Sequence, residues 1–340
     1  MSLSNVRGHA MQADQIRAAL FGDRPGSSYL FAGIDGIGKA HFARLVGKML
    51  LCPEAEDDSC DQCKSCLQVE HDNHPDFHLV QAEEGKRFIK LEQIQELCAK
   101  YAMRPYGDRR IAVIRDADSM TQEAANALLK TLEEPPPWGL LILTTARSNA
   151  LPETILSRCQ TLRFGPLASE DISAILSERS EWPPEAVRFA TAMADGSVGY
   201  AVELLENGGL ELRDDLVGRL RKLRSQDNFE MTRWILDSAG GRGGNLESRR
   251  EGLRLVLQLA LRYYRDVWLR RFGAAPAALF HAERITDVEA DAERLESHRV
   301  EKALELILEA WSQVNRNVNL NILLESVLFR LGLLVQEARH

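Results

Sequence analysis

No stretch of this 340-residue sequence approaches the run of about 18 apolar residues that a membrane-spanning helix requires, so no membrane span is expected. The N-terminus lacks a charged-then-apolar leader pattern, and the expected location is the cytoplasm. An excess of positive charge is also missing, since the formal net charge is −8. That argues against a chain that grips nucleic acid alone through a broad basic face, while leaving room for a few phosphate contacts inside a larger assembly. Internal repeats are absent, and strand patterns stop after Gly165-Pro166. The chain is otherwise ordinary globular material, 45% hydrophobic and 27% charged, long enough for two or three domains with separate cores.

Cysteine is scarce except in one place, where Cys52-x7-Cys60-x2-Cys63-x2-Cys66 holds four of the six. In a cytosolic protein this crowding points to metal rather than disulfides. Four thiolates at this spacing suit a closed tetrahedral zinc site, which would be structural because no coordination position is open. An iron–sulfur cluster uses the same ligands, His71 or His74 can replace one thiolate, and a set of free thiols is the metal-free alternative. Cys98 reads as a core residue.

The most informative stretch is Gly33-Ile34-Asp35-Gly36-Ile37-Gly38-Lys39-Ala40. It follows the strand-like Ser28–Ala32 and opens a helix-like run that ends near Leu51. Strand, glycine-rich loop, lysine and helix form a phosphate-cradling P-loop, with backbone N–H groups and the helix N-terminus turned toward an anion. Gly33, Gly36, Gly38 and Lys39 are the candidate nucleotide contacts. A working loop ends in Ser or Thr to hold Mg²⁺; Ala40 has no oxygen to offer.

Strand and helix patterns alternate around this loop. Helices are expected over residues 9–21, 91–103 and 121–134, with one or two helical turns over 152–157. Strands are expected over 76–80, 110–114, 140–145 and 160–164. This order implies right-handed crossovers and a parallel sheet covered by helices. Three short helices are expected over 169–179, 184–194 and 197–206, with Ser169 as a cap. Long helices follow, interrupted by the flexible turn Gly240-Gly241-Arg242-Gly243-Gly244. Trp234, Trp268 and Trp311 read as core or packing residues.

Two further segments, Asn126-Ala127-Leu128-Leu129-Lys130-Thr131-Leu132-Glu133-Glu134-Pro135-Pro136 and Leu151-Pro152-Glu153-Thr154-Ile155-Leu156-Ser157-Arg158-Cys159, give the chain its resemblance to the clamp-loader subunits of bacterial DNA polymerase III, a branch of the AAA+ ATPases. The resemblance spans nearly the whole chain and is firmest over 25–165. It implies an α/β plus all-α fold: a P-loop AAA+ domain with the cysteine module over 1–165, a helical lid over 166–207 and a helical collar over 208–340. Asn317 to Leu331 resembles the family's final helix.

That family contains ATP-hydrolysing motors and a subunit that resembles them without hydrolysing. Against the motor pattern, Ala40 replaces the Mg²⁺-binding hydroxyl, Arg115 replaces the Mg²⁺-organising Asp, Asp116 replaces the catalytic Glu, and Gly199 replaces a phosphate-sensing Arg. The resemblance therefore implies a non-hydrolysing subunit with weak or no nucleotide binding. Arg158 is retained. In the family it reaches a neighbour's ATP as an arginine finger; without the family it reads as a solvated helix-end Arg. Glu133 and Glu134 read as a solvated helix end, and Thr144 and Thr145 stand where a motor of the family places its first sensor or else only close a strand. The implied partners are the loader's ATPase subunits and its delta subunit, with the sliding clamp and primed DNA met through the complex. Two alternatives stand: a motor with a divergent working site, and a zinc-module protein that binds nucleic acid through residues 52–66, against which the acidic run Pro53-Glu54-Ala55-Glu56-Asp57-Asp58 counts.

Overall fold

The structure, a computed structural model, describes all residues except 1, 23, 24, 55, 56, 84, 180, 241–245, 315, 317 and 337–340. It divides into two compact units, Met1–Glu203 and Leu204–His340. The division falls inside one helix.

In the first unit the elements run α1 (Ala10–Phe21), β1 (Ser28–Ala32), α2 (Lys39–Leu51), α3 (Lys64–Glu70), β2 (Phe77–Val80), α4 (Leu91–Ala102), β3 (Arg110–Ile114), α5 (Gln122–Glu133), β4 (Gly139–Thr145), α6 (Glu153–Leu156) and β5 (Gln160–Arg163). Then come α7 (Ser169–Glu178), α8 (Pro184–Met193) and α9 (Val198–Glu206). The five strands form one sheet in the order β2-β3-β4-β1-β5, parallel at every pairing. Every residue of β1, β3 and β4 is buried, as the uninterrupted apolar runs of these strands require when helices cover both faces. Because the strands are parallel, the ends of β1, β3 and β4 meet at one sheet edge, where ligands of open α/β sheets bind.

Local chemistry sets the helix ends. The Thr121 hydroxyl accepts from the Ala124 amide at 3.3 Å and starts α5, and Pro135 follows its end. The Gln93 side chain accepts from the Lys90 amide at 3.0 Å at the start of α4. Ser169 does not cap: it is the first residue of α7, and Ala168 precedes it without a side-chain bond. Phe21 ends α1 exposed, while Ile16 and Leu20 of that helix are buried. The short helix α3 is not among those expected from the sequence; it begins at the Cys63 cap and carries Cys66.

In the second unit α10 (Gly209–Leu220), α11 (Asn228–Gly240), α12 (Leu246–Arg271), α13 (Ile285–Arg294), α14 (Ser297–Val314) and α15 (Leu320–Gln336) form a helical assembly. The helix α12 packs on α10, α11, α13 and α14, and α15 packs on α11 and α14. Most of the expected glycine turn, residues 241–244, lies outside the described residues. Trp234, Trp268 and Trp311 are half-buried rather than core. The Arg219 guanidinium lies 4.6 Å from the ring centre of Trp234, and the Trp268 indole N–H donates to Glu301 at 3.3 Å, polar contacts that suit these two rings to the helix margins.

A buried ion pair ties the sheet to the loop before β3. Asp76 and Arg110 are both buried and meet at 2.9 Å. The Asp76 carboxylate also accepts from the amides of Tyr106 and Gly107, each at 3.0 Å. Burial raises the Asp76 pKa, but these amides and Arg110 outweigh it and hold the carboxyl below its usual range. Asp76→Ala leaves Arg110 buried without its counter-charge, and is expected to cost about 3 kcal/mol of unfolding free energy. The wild-type contribution is present above the unfolded pKa of about 3.9 and is lost as pH falls through the lower folded pKa. Urea titrations across pH 2 to 7 should therefore show a flatter acid limb for Asp76→Asn, to the extent of about one carboxylate.

Candidate functional site

The glycine loop leaves β1 with its backbone under tight steric control. A Cβ at Gly33 would lie 2.4 Å from the Phe164 carbonyl oxygen. Gly36 and Gly38 have φ of +72° and +95°, the left-handed region that glycine enters without penalty. Beneath the loop, the rings of Phe31, Phe42 and Phe164 pack with centroids 5.0 to 5.6 Å apart, and the buried His9 ring meets the Ile37 carbonyl through Nε2 at 2.9 Å.

Lys39 is buried. Its ammonium donates to the carbonyls of Gly33 at 2.9 Å and Ile34 at 2.8 Å. Burial lowers its pKa, partly offset by the negative charges of Asp35, Asp116 and Asp118. The loop's outer rim is closed by the start of α9. The Gly199 amide donates to the Gly36 carbonyl at 2.8 Å, and a Cβ at Gly199 would lie 2.8 Å from Gly36 Cα. A Cβ at Gly36 would lie 2.3 Å from the Ser197 hydroxyl. Two glycines in main-chain contact leave no room at position 199 for a side chain aimed at a phosphate.

The cleft beside the loop has a volume of about 370 Å³, and Asp35, Gly36, Gly38, Lys39, Ala40, Arg115, Asp116, Thr144 and Gly199 line it. The fold thus gathers the positions that the sequence singled out from four separate segments. Gly33 sits at the base of the loop outside the lining. Arg115 contacts Asp116 at 3.4 Å and Gln81 at 3.3 Å. Asp116 takes a left-handed φ of +53°, and its amide donates to the Thr144 hydroxyl at 3.0 Å. Burial raises the Asp116 pKa, against a lowering by Arg115. Thr145 donates to Asp118 at 2.8 Å, and Arg147 also pairs with Asp118 at 2.9 Å. These two threonines therefore do more than end a strand: they fix the acids that follow β3.

His41, Arg44 and Arg179 also line the cleft, and sequence reasoning passed over them. Arg44 pairs with Asp72 at 2.7 Å. His41 and Arg44 follow Lys39 on α2, so the helical register could have flagged them; Arg179 is brought in only by the placement of α7. With the basic side chains outnumbering the acids Asp35 and Asp116, and no hydroxyl at position 40, the cleft favours an anion over a divalent cation.

Arg158 does not line this cleft. It follows α6 and is about one-third exposed, pairing with Glu133 at 2.7 Å. Its guanidinium also donates to the Thr154 carbonyl at 2.9 Å. Glu133 is accordingly a partner to Arg158, beyond the solvated helix end expected of it.

Cys52, Cys60, Cys63 and Cys66 converge, with all four Sγ atoms within 4.8 Å of one another. A tetrahedral ion with Zn–S bonds of ~2.3 Å places its sulfurs ~3.8 Å apart, and the Cys52 and Cys63 sulfurs are 4.0 Å apart. Amides of Cys60, Cys63 and Cys66 point at sulfurs at 3.5, 3.3 and 3.4 Å, the kind of donors that stabilise thiolates. Burial raises the Cys52 pKa, but donors from the backbone of Cys60 and Glu54 bring it down to about 7. The loop is pinned from outside the cluster: Asp58 accepts from the amides of Leu3 and Ser4 at 2.9 and 2.8 Å and pairs with Arg17 at 3.2 Å. These residues fit a tetrahedral metal. Cys63→Ser is expected to abolish most bound metal and lower the melting temperature of the first unit; elemental analysis of gently purified protein checks it, and a metal-free wild type would refute it.

A family model described as "DNA polymerase III, delta subunit" matches residues 8–168. The DNA polymerase III subunit delta' of Bacillus subtilis (strain 168) is 32% identical over 310 residues, covering 91% of this chain and 92% of that protein. The subunit of the same name from Escherichia coli (strain K12) is 29% identical over 189 residues, covering 55% of this chain and 57% of that protein. A solved DNA polymerase III gamma subunit-related protein from Thermotoga maritima aligns over 91% of this chain and 96% of its own, at 15% identity and a TM-score of 0.43. On the match that spans nearly the full length of both proteins, this chain belongs to the family of DNA polymerase III delta' subunits.

Proposed function

We propose that this chain is a non-hydrolysing, stator-like subunit of a sliding-clamp loader, and that it lends Arg158 to the ATP site of a neighbouring ATPase subunit. The observation that carries the reading is the cleft itself. The phosphate loop and Lys39 are present, but Ala40 and Arg115 stand where a divalent cation needs oxygens, and the Gly199 amide occupies the loop rim. A guanidinium at the strand end repels Mg²⁺, and without the metal the charge on a transferring phosphoryl group is not neutralised. Weak, metal-independent anion binding through Gly33, Gly36, Gly38 and Lys39 is consistent with the surviving backbone.

Arg158 supports the other half of the proposal. It is accessible, and it lies away from this chain's own cleft. An arginine supplied to another subunit's nucleotide is worth on the order of 10³ to 10⁵ in rate in the best-studied cases. The partners in this reading are the loader's ATPase subunits and its delta subunit, with the clamp and primed DNA engaged through the complex. Residues 166–207 serve as the lid and 208–340 as the collar. On α15, Ile322, Phe329 and Leu333 are exposed at spacings that share a helix face, and a helix of a partner subunit would cover them. The metal of the cysteine cluster is zinc, in a structural role.

Equilibrium ATP binding to the purified chain, with and without Mg²⁺, is expected to be weak and unchanged by the metal. Tight Mg²⁺-dependent binding would instead support a motor subunit with a divergent site. In a reconstituted loader, Arg158→Ala is expected to leave assembly intact and slow ATP turnover by at least ~100-fold per dependent site; unchanged turnover would sink the arginine assignment.

A further inference from the structure

Arg158 is held before any neighbour arrives. We propose that Glu133 is a positioning residue for it, fixing the guanidinium in the orientation that meets the neighbouring subunit's nucleotide; this rests on the reading of Arg158 as an arginine acting in trans. The two residues come from different elements. Glu133 is the last residue of α5, and Arg158 follows α6. Ile155 of α6 shares a buried apolar cluster with Leu128 and Leu132 of α5, so the two ends are locked together by packing.

The guanidinium is gripped on two nitrogens. One donates to the Glu133 carboxylate at 2.7 Å. The other donates to the Thr154 carbonyl at 2.9 Å, with the Ser157 hydroxyl at 3.4 Å. The Nε–H has no hydrogen-bond partner among the described residues and is left for an incoming anion. Arg158 and Glu133 side chains are 35% and 51% exposed, so the pair is screened by water and adds little stability. Its effect is geometric. A free arginine must give up rotamer freedom when it docks on a phosphate, and a side chain already ordered does not.

Helix chemistry gives no reason of its own for this carboxylate. The C-terminal end of a helix carries partial negative charge, which disfavours an acid in its last turn. The Arg158 guanidinium compensates at Glu133. Glu134, the residue that follows the helix, has no such partner among the described residues and is the natural control.

The test is steady-state ATP turnover by the loader reconstituted with its ATPase subunits, clamp and primed DNA. Glu133→Ala and Glu133→Ser are expected to lower kcat about three- to tenfold, the size expected for ordering one rotamer-rich side chain, with KM for ATP unchanged. Glu133→Gln keeps an acceptor oxygen at the same reach and should retain most of the turnover. Glu134→Ala should run at the wild-type rate. In the double variant, Glu133→Ala should add nothing to Arg158→Ala, a non-additivity that a general loss of stability does not produce. Wild-type turnover in both Glu133 truncations, with Arg158→Ala slow, would overturn the positioning role alone. Faster turnover in the truncations and in Glu133→Gln would overturn it too, since Glu133 would then be a restraint. Wild-type turnover in Arg158→Ala would overturn the arginine reading, and the positioning role with it.

Discussion

The hydrogen bond from the Gly199 amide to the Gly36 carbonyl, 2.8 Å long, ties the phosphate loop to the first turn of α9, and the shape of the candidate site depends on it. It depends on two glycines: a Cβ at Gly199 would run into the Gly36 backbone, and one at Gly36 into the Ser197 hydroxyl. The loop rim, the first turn of α9 and the width of the cleft are set together by this contact. Lys39 completes the closure from inside by turning onto the carbonyls of its own loop. A phosphate loop whose lysine and rim are satisfied by its own backbone has no need of a nucleotide to hold its shape.

Carboxylates in the first unit tie separate segments together. Asp76 gathers two amides and Arg110; Asp58 gathers the chain's beginning and Arg17 onto the cysteine loop; Asp118 is held by Thr145 and Arg147. Each carboxylate is buried or half-buried and has its lone pairs engaged, as a low-dielectric site demands. The cysteine cluster extends the same logic to a segment with little core of its own, where convergent sulfurs and the amides aimed at them substitute for apolar packing.

The two arginines at strand and helix ends differ in what surrounds them. Arg115 faces the chain's own cleft, beside Asp116 and across from Lys39, where its charge opposes a divalent cation. Arg158 stands clear of that cleft, on a helix end that packs against α5 and with a carboxylate beside it. The cleft has an alanine at position 40 and a guanidinium at the strand end, whereas Arg158 has a carboxylate beside it. On the proposed reading, that asymmetry suits a subunit whose arginine acts in another chain's site.

Much of this was legible in the sequence. The P-loop could be recognised from Gly33 to Lys39 because left-handed turns and anion-facing amides require glycine at fixed positions, and the buried strands because parallel strands covered on both faces are continuous apolar runs. The convergence of the four cysteines could be expected because thiols at such short gaps lie on one compact loop. Tertiary structure alone decided the rest. The ion pair between Glu133 and Arg158, the entry of Arg179 into the cleft, and the seating of Gly199 on Gly36 join residues from separate segments, and pairwise geometry of that kind leaves no periodicity along the chain. Sequence determines which residues can bend, ligate or carry charge; only the packing of the sheet and its helices determines which of them meet, because contact depends on backbone approach within a few tenths of an ångström.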